Sequence, residues 1–382
     1  MTAPQITPRL EIDLARVWHN SAQLSGRLAL RKVAVTGVTK VALGDPRIAR
    51  AMLQGGVSSL GDSRIENIIK MRQAGIQAEF MLLRSPQLSR IDDVVQYADI
   101  SLNSEPEVIR RLSVAAQRLG RRHRVLLMLE LGDLREGIPL SEIEQVVSLC
   151  RSLPNIDLEG IGTNLTCLSG VKPDATNMHR LSDTAVRLRQ RFGLPLLQVS
   201  GGNSSSLDWL LNSDNIGAVN NLRLGEAILL GRETLYGQPL PALYQDAISL
   251  VAEVIEARVK PSVPEGELTQ NAFGERPSFV QRGEFQRSIL AMGLQDIQLA
   301  GIVPQQPDLA VIGASSDHLV LDSGRHPLQV GDEVRFNLNY AATLAAMTSP
   351  FVEKTYLNEG SAEHSPSGVR SPSATPRQPA DS

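Results

Sequence analysis

Cysteine is nearly absent: Cys150 and Cys167 are the only two in a chain of 382 residues. Two thiols cannot build a disulfide framework, and their scarcity points to a reducing compartment, the cytoplasm. A surplus of either charge is missing too. Thirty-eight Lys and Arg stand against 41 Asp and Glu, a net charge of -3. With no basic excess for nucleic acid, a small-molecule substrate is the expected partner. Apolar runs such as residues 125–129 are far too short to cross a bilayer, so no membrane partner is expected. Residues 1–9 are polar, hold two prolines and lack the apolar stretch of a signal peptide. What the chain does have is 42% apolar and 21% charged residues, the balance of an ordinary globular protein with a large core. Its length suggests about two domains.

Residues 358–382 contain six serines and four prolines, and Val369 is their only large aliphatic side chain. Such a segment buries too little to offset its ordering entropy, and a disordered tail is expected. Before it, the chain falls into two parts. Short β-rich apolar runs occur at 32–38, 57–60, 80–83, 100–102, 125–131, 158–165, 196–199 and 219–222. Helical spacing separates them, as in Val108, Leu112, Ala115 and Leu119, or Ile143, Val146, Val147 and Cys150. Strand and helix in alternation mean parallel pairing with crossover helices. Eight such strands fit a closed (β/α)8 barrel. An open doubly wound sheet shares the alternation, but no G-x-G-x-x-G follows the first strand, which weakens its dinucleotide-binding version. From about Asp246 onward, strand-like segments at 247–259, 288–292, 308–312, 318–321 and 333–338 follow one another through turns, without a long helix. The expected architecture is a barrel over residues 1–240, a C-terminal β domain over 241–357 and the tail over 358–382. Residues 10–14 read as a strand, so residues 1–12 are candidates to join the β domain.

A barrel carries its chemistry just past the C-terminal ends of its strands. Lys40 closes the first strand, and apolar flanks would partly desolvate it, which favours a nucleophilic amine able to form a Schiff base with an aldehyde. Gly201-Gly202-Asn203-Ser204-Ser205-Ser206 follows the seventh strand, where glycines and hydroxyls can cradle an anion. Arg223-Leu224-Gly225-Glu226 forms the matching eighth loop. Each loop alone is also an ordinary turn. Together with Lys40 they place a phosphorylated aldehyde between an anion site and an amine, which points to pyridoxal 5'-phosphate.

The chain resembles the fold-type III pyridoxal-phosphate enzymes, the alanine racemase-like group, and within it the ornithine racemase branch. The resemblance rests on Val38-Thr39-Lys40, Leu60-Gly61-Asp62-Ser63-Arg64, Glu130-Leu131-Gly132-Asp133-Leu134-Arg135-Glu136-Gly137 and Gly162-Thr163-Asn164-Leu165. The phosphate loops and the later segments around His318 and from Asn339-Tyr340 to Tyr356 extend it over residues 8–357. It implies that Lys40 holds the cofactor and acts as one proton-transfer base. It further implies phosphate contacts from Asn203, Ser204, Gly225, Glu226 (through backbone N–H) and Tyr340, with Ser200 as a further candidate. Arg223 would face the pyridine nitrogen, Arg135 the cofactor 3′-oxygen and the substrate carboxylate, and Asn164 the cofactor ring. A guanidinium cannot accept a proton from the pyridinium, so the ring nitrogen stays neutral and the electron sink is weak. That suits simple removal and return of a proton.

The group's alanine racemases carry a tyrosine four residues after the lysine and another in a Gly-Tyr-x-Asp motif as the opposing base. Here Val41-Ala42-Leu43-Gly44 and Met292-Gly293-Leu294-Gln295-Asp296 have neither. Met128 and Asn164 replace a lysine and a histidine of the group. His318, beside Asp317, is the expected second base, ahead of Cys167. Smaller residues in place of the tyrosines suit a longer side chain, and the ornithine-like motifs favour a basic amino acid, with Asp133, Glu136 and Asp296 as candidate partners for its ammonium. The expected protein is therefore an amino-acid racemase, working as a homodimer and without a metal. A pyridoxal-phosphate-binding protein without catalysis lacks a β domain. A decarboxylase of this fold needs a late cysteine, and a metal-dependent lyase needs late ligands that His318 and His326 alone do not supply.

Overall fold

The structure is a computed structural model that describes residues 6–324 and 327–359. The expected tail lies outside the described residues from position 360 onward. Strand β1 (Arg9–Asp13) opens the chain, and Asp13 caps the following helix Leu14–Ala29 by accepting from the Arg16 N–H at 3.1 Å. Then come β2 (Ala34–Val38), β3 (Ser59–Asp62), β4 (Phe80–Leu82), β5 (Ile100–Asn103), β6 (His123–Leu129), β7 (Ile156–Thr163), β8 (Gln198–Ser200) and β9 (Asn221–Leu224). These eight form a closed barrel, with parallel pairing throughout and β9 returning to β2. The closed alternative is therefore the one adopted. The connecting helices begin where the sequence supplies caps: Asp45 followed by Pro46, Glu105 followed by Pro106, and an Asp174/Asn177 capping box.

The barrel interior has two characters. Met81, Ile100, Leu102, Leu126 and Met128, from β4 to β6, form an apolar cluster of their own. The opposite wall, from β2, β3, β8 and β9, carries the buried polar side chains Thr36, Ser59, Ser200, Asn221 and Arg223. Alternate residues such as Val35, Leu60, Val199, Leu222 and Leu224 belong to the large outer core beneath the helices.

The second sheet contains β10 (Ile248–Pro261), β11 (Glu284–Leu290), β12 (Ile302–Pro304), β13 (Ala310–Ala314), β14 (Leu319–Asp322), β15 (Glu333–Leu338) and β16 (Glu353–Leu357). Its order is β12-β15-β10-β11-β14-β13, and β1 pairs with both β10 and β16. The first strand of the chain is thus part of the last sheet. Besides the short 3-10 helix Leu299–Gly301, one α-helix among the described residues interrupts this β region, Tyr340–Thr348, capped by Asn339. Its sequence is apolar nearly all round, so it lacks the amphipathic spacing by which the others are read.

At the β5–β6 edge, His123 is 1% exposed and shares a 2.8 Å hydrogen bond between its Nε2 and Ser101 Oγ. Burial pushes its imidazole down to about 4. The folded chain therefore resists protonation that the unfolded chain accepts near 6.5, and stability is lost as pH falls through that window. The His123→Gln chain should lack this slope. Between pH 7 and 4 the wild type should lose about 3 kcal/mol more than the variant in urea titrations.

Candidate active site

The end of β2 is locked to the end of β3 before the chain reaches Lys40. Thr39 Oγ1 donates to Asp62 Oδ2 at 2.8 Å, and Asp62 Oδ1 also accepts from the Arg64 N–H and Asn67 Nδ2, each at 2.9 Å. Asp62 is fully buried, and burial pushes its carboxyl up against these donors. Lys40 then starts a three-residue 3-10 turn, Lys40–Ala42. Val41 turns into the core, Val38 lines the cavity beside the lysine, and the Lys40 side chain itself is exposed at the barrel mouth. That exposure differs from the partial burial expected between apolar flanks. Its Nζ lies 5.4 Å from the ring centre of Tyr340, the first residue of the helix Tyr340–Thr348. The Tyr340 hydroxyl is buried and has no hydrogen-bond partner among the described residues.

A cavity of about 740 Å³ opens here. Lys40, Arg135, Asn164, Asn203, Ser204, Arg223, Gly225, Glu226 and Tyr340 all line it. Ser200, expected at the cofactor, and His318, expected as the second base, do not. Ser200 is fully buried beneath Arg223, whose Nη1 donates to its Oγ, so it meets the arginine and not the cavity. His318 is about half exposed on the second sheet, with its Nδ1 2.9 Å from Asp317 Oδ1, away from this chain's cavity. Its loop is nevertheless tied to the segment 292–296, with the Leu294 N–H donating to Ser315 O at 2.9 Å and the Gln295 N–H to Ser316 O at 3.0 Å.

The loop after β8 is held from within. Asn203 Nδ2 donates to Asn164 Oδ1 at 2.9 Å and Leu165 O at 3.0 Å, while its Oδ1 accepts from the Ser205 N–H at 2.8 Å. Gly202 has φ +107°, and a Cβ there would meet Ser206 Oγ at 2.6 Å, so this turn needs glycine. Ser204 Oγ accepts from the Ala227 N–H at 3.2 Å and keeps its own hydrogen to donate.

Cations dominate the lining. Arg223 is 4% exposed, and burial pushes its guanidinium down to about 10, leaving it protonated at neutral pH. Among the described residues no carboxylate pairs with it. Its Nη2 donates to Thr163 O at 2.9 Å and reaches Asn164 Oδ1 at 3.4 Å. Arg135 is more open and forks onto its neighbour Glu136, which raises the guanidinium further. Burial pushes the Glu226 carboxyl up, and Thr234 Oγ1 donates to it at 3.3 Å. Of the three acids considered for a substrate ammonium, only Glu136 lines the cavity. Asp133 accepts from the Leu168 and Ser169 N–H groups, and Asp296 from Ser349 Oγ at 2.8 Å. Arg84 and Ser85 also line the cavity and were not among the sequence candidates. They follow β4 as Lys40 follows β2, so the same inspection of strand ends finds them.

The barrel mouth thus joins one amine to the glycine loops after its last two strands. Residues 12–233 match the family described as alanine racemase, N-terminal domain. The chain belongs to this alanine racemase family. The resemblance read from its motifs is borne out at that level. A lysine racemase of Thermotoga maritima is 38% identical over 352 residues, covering 92% of this chain and 99% of the relative. An ornithine racemase of Acetoanaerobium sticklandii is 37% identical over 353 residues, with the same coverage of 92% and 99%. The solved alanine racemase from Streptomyces coelicolor A3(2) superposes with a TM-score of 0.74 over 92% of this chain and 98% of that one, at 19% identity, a likeness of fold. Within the alanine racemase family frame, no helix of the described residues is long and apolar enough to cross a membrane. Among the same residues, no group of three or more His, Cys, Asp or Glu is arranged to hold a metal ion.

Proposed function

We propose that this protein is a pyridoxal-phosphate-dependent racemase that interconverts the L and D forms of a basic amino acid, lysine or ornithine. The observation that carries the reading is the partnerless, buried Tyr340 hydroxyl in a cavity it shares with the Lys40 amine. A buried O–H without an acceptor is costly unless something fills that role, and a phosphate oxygen would. The Ser204 hydroxyl and the Gly225 and Glu226 backbone would complete the phosphate cradle, with Asn203 shaping the loop. Lys40 would hold the cofactor's aldehyde carbon, Arg223 would meet its ring nitrogen, Asn164 would lie against the ring, and Arg135 would bind the substrate carboxylate. When bound, the cofactor supplies a sink for the electrons left behind by the α-proton.

The chain's own contribution is placement. The Lys40 amine takes and returns a proton on one face of the substrate. His318, oriented by Asp317, is our candidate for the opposite face, reached from a second copy in a homodimer; its loop is tied to the segment that parallels the family's Gly-Tyr-x-Asp motif. Two relatives whose names specify basic amino acids support the substrate class. Glu136 and Glu226 both line the cavity; Glu136, shared with Arg135, is our candidate partner for a side-chain ammonium, and a volume of about 740 Å³ leaves room for the longer chain. The two free thiols fit a cytoplasmic setting.

The test combines the visible spectrum of the purified protein with L-lysine and L-ornithine incubated in deuterated water. A yellow protein that yields α-deuterated D-amino acid is expected. A protein that takes up no pyridoxal phosphate, or takes it up and exchanges no α-proton, overturns the reading. A narrower test is Tyr340→Phe, which should raise the dissociation constant for pyridoxal phosphate about tenfold by equilibrium dialysis, the effect of losing a charge-assisted hydrogen bond. An unchanged constant would remove Tyr340 from the phosphate site.

A further inference from the structure

Arg223 is buried without a carboxylate, yet it is not left without acceptors. Below it, a line of side chains crosses the polar half of the barrel interior. Arg223 Nη1 donates to Ser200 Oγ. Ser200 Oγ donates to Asn221 Oδ1 at 2.6 Å, and Asn221 Nδ2 donates to Thr36 Oγ1 at 2.9 Å. Thr36 Oγ1 lies 2.8 Å from Ser59 Oγ. All these residues are at most 4% exposed.

The donor sense of the first three links runs outward from the arginine. A guanidinium has only hydrogens to give, so Ser200 uses a lone pair for it and must send its own hydrogen onward. That hydrogen requires the oxygen of the Asn221 amide, which turns the amide nitrogen toward Thr36. The Thr36 hydroxyl accepts from that amide nitrogen and shares a further hydrogen bond with the Ser59 hydroxyl. The Ser200 hydroxyl and the Asn221 amide both point their negative ends toward the arginine. Such a chain polarises cooperatively and stabilises a buried cation without neutralising it. A carboxylate in the same place would fix the arginine equally well and cancel its charge at the cavity.

We propose that Ser200, Asn221 and Thr36 form a positioning wire that holds Arg223 in place and keeps its full charge available where it lines the cavity. The inference rests on the racemase reading above, in which Arg223 meets the cofactor's ring nitrogen. It reassigns Ser200 from a cofactor contact to a residue acting through the arginine. It also gives Thr36, which does not line the cavity, a role in the chemistry.

The experiment uses the full-length, cofactor-loaded protein and two nearly isosteric variants, Thr36→Val and Ser200→Ala, with their double. Thr36→Val should lower kcat about tenfold with KM nearly unchanged, and should displace the absorption maximum of the bound cofactor. Thr36→Ser, which returns the hydroxyl, should restore both. In the double variant the Thr36 effect should vanish, because Ser200→Ala already cuts the wire; independent roles would instead multiply the losses. Multiplied losses overturn the proposal. So does a Thr36→Val protein whose melting temperature falls while its spectrum and kcat stay those of the wild type. Should Thr36→Val not fold, Asn221→Ser against Ser200→Ala asks the same question: losses that do not multiply support the wire, and multiplied losses overturn it. A wild-type protein that neither binds pyridoxal phosphate nor racemises would sink the functional reading instead, and that control is read first.

Discussion

Lys40→Ala should yield a folded protein that no longer shows the visible band of covalently held cofactor and has lost racemisation by at least ~10³-fold, the scale of removing a group that both bonds and moves protons. Folding should survive because the side chain is exposed at the barrel mouth and its amine stands 5.4 Å from the centre of the Tyr340 ring. The melting curve should therefore move by no more than a surface substitution does, about 0.5 kcal/mol in stability. This separation makes the result informative. Loss of band and activity with an intact melting curve assigns both to the amine. A variant that stays yellow and active would remove Lys40 from the chemistry and take the cofactor assignment with it. Noncovalent uptake of pyridoxal phosphate can persist, since Tyr340, Ser204 and Arg223 are untouched, so covalent attachment is read after borohydride reduction and unfolding.

Much of this site was legible because a barrel puts function at strand ends, and strand ends are visible in sequence. Lys40, Arg223 and the loop residues Asn203 and Ser204 each come at the end of an apolar run, and each lines the cavity. Arg84 and Ser85 obey the same rule after β4. Other features left no such mark. Thr36 and Asn221 lie inside or beside apolar runs, and β-propensity does not separate a threonine facing the helices from one facing the barrel interior. Only closure of the barrel brings β9 next to β2 and joins residues 185 positions apart. The helix Tyr340–Thr348 escaped because its alanines and leucine give no polar face. His318 reads in sequence as a base beside an acid, and so it is, but in this chain the pair lies outside the cavity. Pairing along the chain fixes a dyad; it does not say which cavity the dyad serves.

Arg223→Met should be the second most damaging change, and for a different reason. Methionine fills similar space and removes a buried cation, whose desolvation is unfavourable to the fold, at the cost of leaving Ser200 Oγ and Thr163 O without their donor. The two effects oppose each other, so the fold should persist and the protein should remain yellow, because Lys40 and the phosphate contacts are intact. What disappears is a buried positive group on the cavity wall, which in the proposed racemase would face the ring nitrogen. Loss of one such preorganised donor is expected to lower kcat about 10²- to 10³-fold, with a much smaller change in cofactor affinity. Arg223→Lys distinguishes charge from geometry. An ammonium restores the charge but not the fork that spans Ser200 and Thr163, so it should recover only part of the loss, about tenfold above the methionine variant. Stopped-flow spectra and racemisation rates on the three proteins decide the matter. If Arg223→Met racemises as fast as the wild type, the arginine is a strut of the barrel wall, and its permanent charge does not set the strength of the electron sink.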